Sequence, residues 1–215
     1  MSTHRERFAR AQSYADACRF GEAVAEGQAV LEQQARLGGP RLWQAEVFIA
    51  DWLRADGRLS SAEHRARAAL EAIEGGADRG TAANVQARSV YAMALWEMGK
   101  NDAGASMLAE ARRLAETSAA SDLEVAVLWK QTAILELSRN RPEAALSAVS
   151  RSFGLIGATP RTEVLRRDLL VLQAIAQLDN RDPAEAEKAL RDAESVASRI
   201  ADDRSGAQRH ILRAR

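Results

Sequence analysis

Five alanines recur along the 215-residue chain at intervals of about 41 residues: Ala11, Ala50, Ala92, Ala133 and Ala174. Twelve residues after each stands a second small residue: Ala23, Ala62, Gly104, Ala145 and Ala186. A unit of roughly 20–50 residues cannot bury an apolar face alone, so its copies must stack, and helical copies stack as hairpins in a solenoid. Small residues at two fixed places in such a hairpin let the two backbones cross closely. The pattern predicts helices over 3–17, 22–37, 41–55, 60–74, 81–98, 102–118, 122–139, 142–156, 161–179 and 183–200. The fold class is all-α: a right-handed α-solenoid of about five antiparallel helical hairpins with a partial C-terminal helix.

Composition agrees with this. Hydrophobic residues make up 47% of the chain but aromatics only 5%; much of the apolar content is alanine, the strongest helix former. Periodicity supports it too. Val125, Leu128, Trp129, Thr132, Ala133 and Leu135 follow the i, i+3, i+4 template, as do Leu165, Leu169, Leu172, Ala176 and Leu178. Turns inside the hairpins are expected near Cys18–Gly21, Asp56–Leu59, Met98–Asn101, Arg139–Pro142 and Asn180–Pro183. Turns between hairpins are expected near 38–40, 75–80, 119–121 and 157–160, where Gly, Asn and Pro close or open helices. Ser60–Glu63 and Ser121–Glu124 have the spacing of capping boxes, and Asp182 before Pro183 is their aspartate counterpart.

One period beyond Ala174 is residue 215. Residues 1–200 are therefore expected to form the repeat domain. Residues 201–215 are expected either to cap its end or to begin a sixth repeat, with Ile211 and Leu212 as apolar contacts.

The paired small positions resemble the tetratricopeptide (TPR-like) repeat, in which one lies mid-way along the first helix and the other early in the second. Val30-Leu31, Ala69-Leu70, Ala111, Ser152-Phe153 and Ala193 match that family's later small position and its neighbour. The aromatic found four residues before the first small position occurs only as Trp129. The 41-residue period exceeds the family's usual one, so each helix is longer by about a turn. The resemblance implies a protein-binding function through a concave face lined by the first helices. Arrays with such long repeats are similar to regulatory regions of bacterial signalling enzymes, diguanylate cyclases among them, and of transcription activators.

Lys+Arg and Asp+Glu each total 30, which offers no electrostatic reason for a nucleic-acid or membrane partner. Cys18 is the sole cysteine and cannot form an internal disulfide. The N-terminus shows no apolar leader, and a cytoplasmic location is expected. No phosphate-binding glycine loop, zinc motif or catalytic constellation is present, so the chain is read as a non-enzyme with no catalytic, cofactor or metal residues. His4, His64 and His210 fall in three separate helices. Cys18 is expected to be a small packing residue. The arginines of the tail and the adjacent Asp202 and Asp203 are read as solvated.

In the family the residues three before, one after and four after the first small position point inward. Carried onto this chain, the middle of that row holds Asp51, Arg54, Ser89, Met93, Trp96, Lys130 and Ile134, and its end holds Val171, Ile175 and Leu178. An aromatic and a thioether among charges suit a peptide-anchoring surface. The expected partner is a protein or peptide segment, in bacterial regulation, with homodimerisation left open. The alternative is a sensory or dimerising domain of a larger signalling enzyme or transcription activator.

Overall fold

The computed structural model describes residues 4–37, 43–76, 82–118, 120–159 and 162–213, with side chains among them except at 4, 5, 44 and 201–213. The described residues form ten helices: α1 (His4–Asp16), α2 (Phe20–Arg36), α3 (Trp43–Ala55), α4 (Leu59–Glu74), α5 (Ala82–Glu97), α6 (Asn101–Ala115), α7 (Asp122–Ser138), α8 (Pro142–Leu155), α9 (Glu163–Asp179) and α10 (Pro183–Arg213). Consecutive helices pair as α1/α2, α3/α4, α5/α6, α7/α8 and α9/α10. The chain divides into two compact units, Met1–Ala120 and Ser121–Arg215.

The small residues lie where the repeat places them. Ala11, Ala50 and Ala133 are wholly buried, and so are Ala23, Ala62 and Ala145. At Gly104 the crossing is closer still: a Cβ there would sit 2.8 Å from the Ala92 carbonyl oxygen and 3.2 Å from the Trp96 nitrogen. Only glycine fits without moving α6 away from α5.

All five hairpin turns share one geometry. Cys18, Gly57, Gly99, Asn140 and Arg181 have φ between 57° and 78°. Each following N–H reaches back five residues: Arg19 to Tyr14, Arg58 to Leu53, Lys100 to Leu95, Arg141 to Glu136 and Asp182 to Gln177, at 2.8–3.0 Å. These are Schellman closures, which satisfy carbonyls orphaned at a helix end. Two expectations are corrected here. Cys18 is not a packing residue but an exposed one holding a left-handed turn. Ser60 does not cap α4, which starts at Leu59 after Arg58 with no side-chain cap bond. The left-handed Gly57 leaves Arg58 as the last non-helical residue, so Ser60 falls inside the helix.

The other caps hold. Ser121 Oγ accepts from the Glu124 N–H while Glu124 Oε2 accepts from the Ser121 N–H at 2.7 Å. Asp182 Oδ1 accepts from the Glu185 N–H at 3.2 Å. The tenth helix, expected to end near residue 200, runs on to Arg213. The expected turn at 38–40, most of that at 75–80 and the contacts of Ile211 and Leu212 lie outside the described residues.

Four residues before each first small position, where the TPR-like pattern carries an aromatic, three hairpins carry a charge paired across the hairpin. Arg7 faces Glu26 at 4.0 Å, Glu46 binds Arg65, and Arg88 binds Glu110. Trp129 is met instead by the Arg151 guanidinium, 4.6 Å above its ring. In each case the first helix is tied to the second by an electrostatic contact, a cation–π contact in the last.

Candidate functional site

In the unit of residues 1–120 the expected inward row is only partly open. Ser89 and Met93 are buried, each 5% exposed. They belong to the packing of α5 and offer no surface to a partner, which corrects their place in the expected site. Asp51 and Arg54 of α3 remain accessible and form one network with Glu97 of α5. Arg54 Nε and Nη2 donate to Asp51 Oδ1 at 3.0 and 2.9 Å, and Nη1 donates to Glu97 Oε1 at 2.5 Å. Burial works against the Arg54 charge, but the attraction of Asp51 and Glu97 prevails and holds its pKa above the ordinary arginine value. One cation between two carboxylates leaves this patch with an acidic surplus. Trp96, half-buried, lies one residue before Glu97.

An open cleft of about 700 Å³ in the same unit is lined by Glu74, Asn84, Arg88, Glu110, Arg113, Leu114 and Thr117. The Arg88 guanidinium dominates it. Its Nε donates to Asn84 Oδ1 at 2.9 Å, Nη1 binds Glu110 and approaches Met107 Sδ at 3.3 Å, and Nη2 binds Glu74. Each guanidinium nitrogen is engaged. The cluster fastens α4, α5 and α6 together, and nothing in it calls for a ligand.

The unit of residues 121–215 is more open. Lys130 of α7 donates to Asp168 Oδ2 of α9 at 3.3 Å, and Arg167 binds Asp168 Oδ1 at 2.7 Å. Ile134 is half-buried on α7. On α9 the residues Val164, Val171, Ile175 and Leu178 are all substantially exposed, Leu178 at 54%. With Asp168 they follow i, i+4, i+7, i+11, i+14, a single stripe along the helix. An apolar stripe of four β-branched or leucine side chains in water has an unfavourable free energy that a covering surface would remove.

Sequence reasoning placed Val171, Ile175 and Leu178 in the inward row but gave weight to its middle, where Met93 is buried. It missed Val164, and also Glu97, Arg88 and Asp168, whose partners come from other helices. Among the described residues no cluster of three or more His, Cys, Asp or Glu stands close enough to hold a metal. His64 is exposed on α4, while the side chains of His4 and His210 lie outside the described set. No helix among the described residues is long and apolar enough to cross a membrane.

No family model and no curated protein matches the sequence. Solved structures do match the fold. The chain is similar to BtubC (BKLC) from P. vanneervenii at a TM-score of 0.67 with 15% identity, over 92% of this chain and 80% of that one. It is similar to the TPR-like repeats of a Podosopora anserina putative kinesin light chain at 0.63 with 16% identity, over 92% and 96%. A Rap protein complexed with Competence and Sporulation Factor superposes at 0.75 with 12% identity, over 93% of this chain and 55% of that one. The fold is the TPR-like helical repeat.

Proposed function

We propose that the chain is a non-enzymatic scaffold that binds a protein or peptide segment in bacterial regulation. The observation that carries this is the exposed stripe Val164–Val171–Ile175–Leu178 on α9, flanked by the Lys130–Asp168–Arg167 cluster. A rigid helical scaffold loses little conformational freedom on binding, so more of the free energy of an apolar contact is left as affinity. The likeness to a Rap protein seen in complex with Competence and Sporulation Factor supports a bound partner by analogy of fold. Lys130 and Ile134 of the same unit as α9 remain as secondary contacts in this reading; Asp51, Arg54 and Trp96 are kept as a separate contact surface of the first unit.

The test is selection of peptides from a random 16-residue display library on the native chain, with an Ile175→Lys/Leu178→Lys chain as counter-target. Peptides that bind native protein and lose at least about tenfold in affinity on the variant support the reading. Peptides that bind both chains equally would refute it.

A further inference from the structure

The α9 stripe gains a more definite meaning when the last two hairpins are compared position by position. In the fourth hairpin α8 presents Leu146, Val149 and Phe153, and α7 presents Leu137, to a shared core with Leu165, Leu169 and Leu172 of α9. Lys130 of α7 also reaches α9 through Asp168. These five positions are thus the seat on which the next first helix rests. The same role is visible earlier in the chain, where a Cβ at Gly27 of α2 would meet Ile49 and Trp52 of α3. Gly27 and Val149 are equivalent positions, four residues past the small residue that opens the second helix.

In the fifth hairpin the equivalent seat consists of Val171 and Leu178 on α9, with Glu187, Leu190 and Glu194 on α10. All five are exposed. Leu190 is 43% exposed, whereas Gly27, Ala66, Leu108 and Val149 at its position are buried. Two apolar residues of the interior seat, Leu146 and Phe153, have become Glu187 and Glu194. The seat is therefore apolar along α9, while on α10 it carries Glu194 beside a Glu187 already paired with Arg191.

We infer that this seat receives an amphipathic helix from a partner, apolar on one face and basic along the edge that meets α10, in the place that α9 takes on the fourth hairpin. The inference rests on the reading of the α9 stripe as a binding surface. The interior example shows how the basic edge would work. Arg166 of α9 lies 5.7 Å over the Phe153 ring; on a helix seated one hairpin further, an arginine at that place faces Glu194 and forms an ion pair. The covering helix removes Val171, Leu178 and Leu190 from water while the pair sets its register.

The probe is a fluorescein-labelled synthetic peptide with the α9 sequence, Glu163–Asp179, titrated against the intact chain by fluorescence anisotropy. Saturable binding is expected. It should weaken at least about tenfold on Leu190→Lys or Glu194→Lys protein. A peptide carrying Arg166→Glu should bind native protein weakly and recover on Glu194→Lys protein. Circular dichroism checks that the variants, all altered at exposed positions, keep native helicity. Binding that is lost with Ile175→Lys/Leu178→Lys but indifferent to Leu190→Lys and Glu194→Lys would overturn the seat and leave the stripe reading standing. Absence of binding would overturn both. Light scattering that shows a native dimer, turned monomeric by Leu190→Lys, would make a second copy the occupant and overturn the inference.

Discussion

Replacing Gly104 with alanine should destabilise the protein, although the same change in an ordinary helix strengthens it. The added Cβ would lie 2.8 Å from the Ala92 carbonyl oxygen, 3.2 Å from the Trp96 nitrogen and 3.3 Å from the Trp96 Cβ. The two nearest atoms are backbone, so no side-chain rotation relieves the contact, and α6 must retreat from α5. Overpacking of this kind costs about 1–3 kcal/mol, and the better helix propensity of alanine returns about 1 kcal/mol. The net loss is about 1 kcal/mol, or a fall in melting temperature of about 2–4 °C. Gly154 in α8 supplies the matched control, since a Cβ there meets nothing within 4 Å. Gly154→Ala should leave stability unchanged or raise it by up to about 1 kcal/mol. Thermal unfolding followed at 222 nm reads both. A Gly104→Ala chain that melts at or above the native temperature would refute the close crossing of α5 and α6.

Arg181 holds φ at 61° without being glycine, so Arg181→Gly should stabilise by about 1 kcal/mol, measured by urea titration. Arg88→Ala should destabilise by about 1–2 kcal/mol, because it removes the cation that binds both Glu74 and Glu110; the figure is discounted from that of a fully buried pair since both carboxylates are 39% exposed. Ala133→Arg should cost about 3 kcal/mol or more, as a long charged chain has no room at a wholly buried crossing, and unchanged melting would contradict the repeat alignment.

How far the structure was legible depends on whether a feature is local. The small-residue series, ten helices and five turns were readable because they depend on spacing along one hairpin. Ser121 and Glu124 announced their capping box for the same reason. Met93 was misread because its burial is decided by packing around α5 and not by its own helix. Arg88 was invisible as a clamp, since its partners Glu74, Asn84, Met107 and Glu110 span three helices. The left-handed residues at 18 and 181 were hidden because neither is glycine or asparagine, and only the closure bonds around them reveal the conformation. The exposed end of the last hairpin was half legible: Val171, Ile175 and Leu178 were in the row, but Leu190 acquires meaning only beside its buried counterparts.

The turn at Cys18 has a practical corollary. The protein's single thiol stands in open water at a backbone angle, φ 57°, that its own Cβ disfavours. A glycine there would delete the only sulfhydryl open to oxidation or cross-linking and would also relax the bend. Chemists who want a cysteine-free version for labelling elsewhere should find it sturdier than the parent, not weaker.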